Sequence, residues 1–93
     1  KDLEVDYLGR KVMIEGKEVS LTPKEYELLL YFIKNKKVAL SREQLLSNVW
    51  DYDYYGDDRT VDTHIKMLRK SLGDYRNLIK TIRELGYKYE TEE

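Results

Sequence analysis

Residues 58–72 read DRTVDTHIKMLRKSL, a stretch with regularly spaced apolar residues. Apolar side chains recur in it at intervals of three and four residues, the pattern of a helix that packs one face on a core. The apolar stripe consists of Val61, Ile65, Leu68 and Leu72. We therefore predict a core-packed helix over this stretch and ask what its other side does.

The far side of this helix is polar and mostly basic. It carries Arg59, Thr63, Lys66, Met67 and Lys70, flanked by Thr60 and His64 on one edge and by Asp62 and Arg69 on the other. Two interpretations are open at this point. The face is either an ordinary solvated surface or a surface that meets phosphates and base edges.

Length and composition define a small soluble domain. The chain has 93 residues, 41% of them hydrophobic and 38% charged, which fits one globular core and argues against disorder. No apolar run approaches the roughly 20 residues of a membrane span, and no signal-peptide pattern is present. The absence of cysteine excludes disulfides and thiolate metal sites, and a reducing cytoplasm is the natural setting.

The charge is unevenly distributed although the net charge is only −1. Residues 59–88 carry eight basic and three acidic side chains, whereas residues 1–58 carry nine and twelve. A polyanion responds to the local field within about a Debye length, roughly 8–10 Å, more than to the chain total. The asymmetry therefore supports a nucleic-acid partner.

Strand and helix signals follow one another along the chain. Alternating residues in LEVDYLG, RKVMIEGK and EVSL predict two hairpin-linked N-terminal strands, with a third or fourth left open. Capping boxes at Thr22 and Ser41 predict a first helix from about Pro23 to Lys36 and a second that ends at Trp50. The first helix should face inward through Tyr26, Leu29, Leu30 and Ile33, and the second through Leu45, Leu46 and Val49.

The end of the chain predicts a hairpin. Asp57 or Asp58 can cap the third helix, and Gly73 suits its C-terminal end. The segment LIKTIRELGYKYE then alternates around Glu84-Leu85-Gly86, with basic residues on both arms. Strands, three helices and a terminal hairpin make an α+β winged helix-turn-helix, in which a helix fits the major groove and the hairpin reaches backbone or minor groove.

Four segments together resemble one family over essentially the whole chain: LTPKEYELLLYF, SREQLLSNVW, DDRTVDTHIKMLRKSLG and TIRELGYKY. The chain is similar to the DNA-binding effector domain of OmpR/PhoB-family response regulators. The resemblance implies that residues 1–93 form one winged-helix domain, with an N-terminal antiparallel sheet and a C-terminal wing. It also implies dimeric binding to direct-repeat promoter DNA and control by an N-terminal receiver domain. No receiver is present here, so we expect an excised effector domain.

The resemblance also implies functional residues. Those at or near DNA are Trp50, Arg59, Thr60, Thr63, His64, Lys66, Met67, Arg69, Lys70, Thr81, Arg83 and Tyr87. The loop that touches RNA polymerase in this family corresponds to Asp51, Tyr52, Asp53, Tyr54, Tyr55, Gly56 and Asp57. Two positions depart from the family pattern. Met67 stands where several relatives carry Arg, and Glu84 stands where relatives often carry Gly. Phosphate would repel a carboxylate at position 84.

Other chemistry receives little support. His64 is the only histidine, and a single imidazole does not make a metal site. The stretch DYDYYGDDRTVD resembles a calcium loop at positions 1, 3 and 6, but it lacks the terminal Glu. No Ser/His/Asp constellation, phosphate loop or paired catalytic carboxylates can be proposed from so small a chain, so we expect neither enzymatic activity nor a cofactor. The main alternative to DNA binding is a winged helix that binds another protein.

Overall fold

The computed structural model describes residues 3–50 and 59–91, and it has the predicted winged-helix architecture. Two three-stranded antiparallel sheets flank three helices. The elements in chain order are β1 (Leu3–Asp6), β2 (Lys11–Ile14), β3 (Lys17–Val19), α1 (Pro23–Lys34), β4 (Leu40–Ser41), α2 (Arg42–Val49), α3 (Arg59–Leu72), a 3-10 helix (Gly73–Leu78), β5 (Ile79–Ile82) and β6 (Gly86–Tyr89). The predicted cap of α3 at Asp57 or Asp58 lies outside the described residues.

The N-terminal sheet has the order β1-β2-β3 and is held to the core through its middle strand. Val12 pairs with Val5 on one side and with Val19 on the other, and it is almost fully buried. Leu3, Val5 and Ile14 pack against the core as partly buried residues. The alternation that predicted these strands therefore sets which side chains face inward.

Both predicted capping boxes are present. The backbone N–H of Glu25 donates to Oγ1 of Thr22, and the backbone N–H of Thr22 donates to Oε1 of Glu25. Ser41 and Gln44 make the same reciprocal pair at the start of α2. Because these bonds satisfy backbone donors that have no partner within the helix, they fix where α1 and α2 begin.

Two details of α1 differ from the prediction. The helix ends at Lys34 instead of about Lys36, because Asn35 caps it: its side-chain amide donates to the carbonyl of Tyr31 at 2.8 Å. The buried face is also wider than the predicted stripe. Leu28 and Phe32 are fully buried, whereas Leu30 and Ile33 are only partly buried. This follows from the central position of α1, which contacts α2, α3 and β6.

The C-terminal sheet contains a strand that the sequence did not reveal. β4 is two residues long and pairs with β6, giving the order β4-β6-β5. Gly86 opens β6 opposite Ser41, and a Cβ at Gly86 would collide with the carbonyl oxygen of Leu40. The wing is thus fastened to the start of α2 by a pairing that requires glycine at this position.

Within the described residues, no helix is long and apolar enough to cross a membrane.

Candidate nucleic-acid interface

The third helix separates a buried face from an exposed one as predicted. Val61, Ile65, Leu68 and Leu72 are each no more than 2% exposed. The exposed side chains on the other face are those of Arg59, Thr63, Lys66, Met67 and Lys70. Within the described residues, neither Lys66 nor Lys70 forms an ion pair. Their positive charges therefore remain available to an anionic partner.

His64 lies at the edge of this face, and its ring is fixed in place. Its Nδ1 lies 2.9 Å from the backbone carbonyl oxygen of Thr60. A carbonyl oxygen only accepts hydrogen bonds, so Nδ1 carries the proton and Nε2 of the neutral ring is an acceptor. The ring also meets Trp50 edge to face, with centroids 5.0 Å apart. His64 thus presents one defined nitrogen instead of a freely rotating ring.

Trp50, at the end of α2, contacts side chains of the two other α-helices among the described residues. It is half-buried at the C-terminus of α2, against His64 of α3, and the ammonium of Lys24 in α1 lies 5.4 Å from its ring centroid. Lys24 also donates to the carbonyl of Val49 at 3.0 Å and pairs with Glu27. This places a basic residue of α1, which sequence analysis did not single out, beside the indole.

The side chain of Arg69 is hydrogen-bonded to the wing. Its guanidinium donates to the carbonyl of Ile79 through Nε at 3.1 Å and Nη2 at 2.7 Å, and to Oγ1 of Thr81 at 2.9 Å. Both acceptors lie on β5, so Arg69 ties the C-terminal half of α3 to the wing. The acceptors are uncharged, and Arg69 therefore retains its full positive charge at the surface of the junction.

Tyr87 is a core residue of the wing and not an exposed one. It is 6% exposed, and its hydroxyl donates to Oδ1 of Asp62 at 2.6 Å. The guanidinium carbons of Arg42 and Arg69 lie 5.6 and 5.5 Å from its ring centroid. Arg42 also donates from Nε to Oδ1 of Asp62 at 2.8 Å. This network connects α2, α3 and β6.

Burial and the contacts of this network shift the pKa values of Asp62, Tyr87 and Arg42. Burial raises the pKa of Asp62, but hydrogen bonds from Tyr87 and Arg42 and the charge of Arg42 outweigh it, so the pKa lies below the ordinary value. Burial, and then the hydrogen bond to Asp62, raise the pKa of Tyr87. The hydrogen bond to Asp62 raises the pKa of Arg42. Asp62 is therefore ionised and Tyr87 neutral around neutral pH.

The tip of the wing is exposed and charged. Arg83, Glu84 and Leu85 form the turn between β5 and β6, and Thr81 is exposed on β5. Glu84 adopts a left-handed backbone conformation with φ of 65°. That region favours glycine, because a Cβ is strained there. The departure from glycine at this position thus adds both a negative charge and backbone strain to the wing.

The sequence predicts the exposed helix face but not the contacts that orient it. Arg42 and Lys24 received no role, and Tyr87 was expected at the DNA. The capping boxes placed Arg42 and Lys24 in first helical turns, which gave no sign of their distant partners. The residues expected to contact RNA polymerase, 51–57, lie outside the described residues. Among those described, no group of three or more His, Cys, Asp or Glu is placed to hold a metal ion.

An exposed basic helix after a helix-turn unit, followed by a hairpin wing, defines a winged helix-turn-helix protein. Comparison with known proteins gives the family. The family model described as "Transcriptional regulatory protein, C terminal" matches residues 16–89, and the chain belongs to this family. This agrees with the resemblance to OmpR/PhoB-family regulators.

Individual relatives support the same assignment. The chain is 47% identical over 96 residues to the transcriptional regulatory protein SrrA of Staphylococcus aureus, covering 99% of this chain but 40% of SrrA. The crystal structure of the DNA-binding domain of Bacillus subtilis CssR is 38% identical, with a TM-score of 0.84 over 94% of this chain and 98% of CssR's domain. Thermotoga maritima DrrB, an OmpR/PhoB homolog, is 37% identical, with a TM-score of 0.88 over 98% of this chain and 42% of DrrB.

The similar structures include complexes with DNA. The DNA-binding domain of Klebsiella pneumoniae RstA, solved in complex with the RstA box, is 33% identical to this chain. Its TM-score is 0.86, over 97% of this chain and 92% of that domain. The chain therefore shares its fold with a protein whose structure was determined on DNA, while it spans about 40% of the length of the SrrA relative.

Proposed function

We propose that this chain binds double-stranded DNA with sequence preference, as the output domain of a cytoplasmic transcription regulator. One observation carries the proposal. The third helix buries its apolar stripe completely and leaves Lys66 and Lys70 exposed without carboxylate partners among the described residues. An α-helix with such a face fits the major groove, where phosphates flank the base edges.

In this proposal, some residues of the exposed face bind phosphates and position the helix, and others contact base edges and read the sequence. Lys66 and Lys70 supply the charge that phosphates or guanine acceptors attract. Thr63 and Met67 are exposed on the same face of α3 and suit uncharged contacts, including the thymine methyl group for Met67. His64 adds Nε2, which in the neutral ring accepts a hydrogen bond from an amino group of adenine or cytosine.

The flanks of the helix contact the backbone in this proposal. Arg59 and Thr60 lie at the N-terminal end of α3, and Trp50 lies at the end of α2 against His64. The wing contributes Thr81 and Arg83, both exposed. Each of these groups can donate to phosphate oxygens, a contact that sets register without reading sequence.

Two of the expected DNA contacts act differently in this proposal. Arg69 and Tyr87 are positioning residues, because both are bound within the protein at the junction of α3 and the wing. They hold the helix and the hairpin at a fixed angle. A bound duplex then meets a surface that is already ordered, and little conformational entropy is lost on binding.

The assembly around the domain is also proposed. Membership of the family supports a receiver domain in the full-length protein, and the SrrA relative is long enough to contain one. Binding as a dimer to direct repeats would double the contacted phosphates. The tyrosine-rich segment 51–57 would touch RNA polymerase, since its three tyrosines give it a composition that is favoured at protein interfaces. Tyr54→Ser with Tyr55→Ser in the full-length regulator should reduce activation and leave DNA affinity intact.

In vitro selection from a random duplex pool, followed by sequencing, tests the proposal. We expect enrichment of a defined motif, repeated at a spacing of about one helical turn if two copies bind. A salt titration on random duplex should give a steep log-log slope. No enrichment together with a flat slope would exclude DNA binding and favour the protein-interaction alternative.

A further inference from the structure

A basic concavity lies outside the exposed face of α3, between the 3-10 helix and the wing. It has a volume of about 390 Å³ and is lined by Arg69, Arg76, Asn77, Ile79, Lys80 and Thr81. Three of these residues are cations and none is a carboxylate. Three cationic residues that line one space, without a carboxylate among them, suit the binding of an oxyanion.

The positive charges of this concavity are not neutralised within the described residues. Arg69 binds the carbonyl of Ile79 and the hydroxyl of Thr81, and Lys80 donates to the carbonyl of Asn77 at 3.1 Å. None of these acceptors carries a charge. Arg76 is exposed and belongs to none of the ion pairs of the described chain. The nearby carboxylate of Asp74 is not part of the lining.

The concavity continues the basic face of α3 toward the wing. Arg69 follows Lys66 by three residues, so the two lie on adjacent parts of the helix surface, and Lys70 is next to Arg69 in sequence. Lys80 and Thr81 lie on β5, the strand that leads to the wing tip. A phosphate held here would belong to the same backbone that a helix in the major groove approaches.

We propose that this concavity binds a DNA backbone phosphate, with Arg76 and Lys80 as its main charged ligands and the Asn77 amide as a further donor. Arg69, fixed by β5, forms the wall nearest α3. The inference rests on the proposed function and extends it to residues outside the expected interface. It places a phosphate contact on the 3-10 helix, beyond the C-terminal end of α3.

The test compares Arg76→Gln/Lys80→Gln with Lys11→Gln/Lys17→Gln. Both double variants remove two positive charges, but Lys11 and Lys17 are exposed on the N-terminal sheet. The first pair should weaken binding to random and selected duplexes by the same factor, roughly tenfold, and lower the salt slope by roughly one unit. The control pair should leave the slope unchanged. Thermal unfolding confirms that both variants are folded.

Neutral methylphosphonate linkages locate the contact. At one or more phosphates that flank the selected site, the neutral linkage should weaken binding of the wild type. At the same phosphates, it should leave the affinity of Arg76→Gln/Lys80→Gln unchanged. An unchanged slope in this variant, or an equal loss in the control pair, would overturn the inference. Inorganic phosphate binding at Arg76 with micromolar Kd, without DNA, would overturn it in favour of a free-phosphate site. A wild type that binds no duplex would instead refute the proposed function.

Discussion

The hydroxyl of Tyr87 and Nε of Arg42 both donate to one oxygen, Oδ1 of Asp62, at 2.6 and 2.8 Å. Tyr87 belongs to the wing, Arg42 to the first turn of α2, and Asp62 to α3. A single carboxylate oxygen therefore joins the three elements that would surround a bound duplex. The exposed face of α3 depends on this junction, because its orientation relative to the wing is set there.

Loss of the Tyr87 hydroxyl should weaken the junction. Tyr87→Phe should lower the free energy of unfolding by about 1.5–3 kcal/mol, the range for a hydrogen bond to a charged group. Tyr26→Phe is a matched control, because Tyr26 is equally buried but its hydroxyl has no hydrogen-bond partner among the described residues. Urea unfolding should show little loss for Tyr26→Phe. Equal losses in both variants would mean that the bond to Asp62 contributes nothing.

Acid should weaken the same junction. The pKa of Asp62 is lowered in the folded state, so its contribution is present above the unfolded-state pKa of about 3.9 and is lost as pH falls through the folded-state pKa. Asp62→Asn should therefore be less stable than wild type at pH 7, and the difference should shrink below about pH 4. Urea unfolding from pH 7 to pH 2 measures it. A difference that stays constant to pH 2 would contradict the lowered pKa.

The pairing of β4 with β6 should require glycine at position 86, because a Cβ there would collide with the backbone of Leu40. Gly86→Ala places a Cβ against the backbone of Leu40 and should destabilise the domain by about 2–4 kcal/mol or detach β4 from β6. Gly73→Ala provides a comparison, because its Cβ meets open space and only its φ of 60° is unfavourable. That variant should cost about 1–2 kcal/mol, the cost of a Cβ in the left-handed region. Thermal unfolding that ranks Gly73→Ala as the more damaging change would refute the steric account.

The charge at the wing tip should oppose DNA binding. Glu84→Gln removes a negative charge without altering the left-handed turn, so we expect about two- to fivefold tighter binding at low salt, with the gain narrowing as salt rises. The gain should be equal on random and selected duplexes, because a phosphate field carries no base identity. Arg83→Ala should act in the opposite sense. If fluorescence anisotropy detects neither change, the wing does not approach the duplex.

Local patterns predicted the elements, and non-local contacts account for what was missed. The two capping boxes and the apolar stripe of α3 depend on residues within four positions of each other, so they could be read directly from the sequence. β4 could not, because it exists through pairing with β6, which lies far along the chain.

The candidate site shows the same division. The exposed cations of α3 follow from helical periodicity. The hydrogen bond from Arg69 to a backbone carbonyl of β5 does not follow from this periodicity, and neither does the burial of Tyr87. A basic residue on a predicted helix face has the same sequence pattern whether it meets solvent, DNA or a neighbouring strand. Its partner is decided by the packing of α3 against the wing.

The salt dependence of duplex binding shows whether the exposed face of α3 contacts DNA. Lys66→Ala and Lys70→Ala should each weaken binding and reduce the log-log slope by roughly one unit, whereas Lys36→Ala, an exposed lysine beyond α1, should leave the slope unchanged. If both α3 variants bind duplex with the affinity and slope of the wild type, this face of α3 is not the DNA-binding surface.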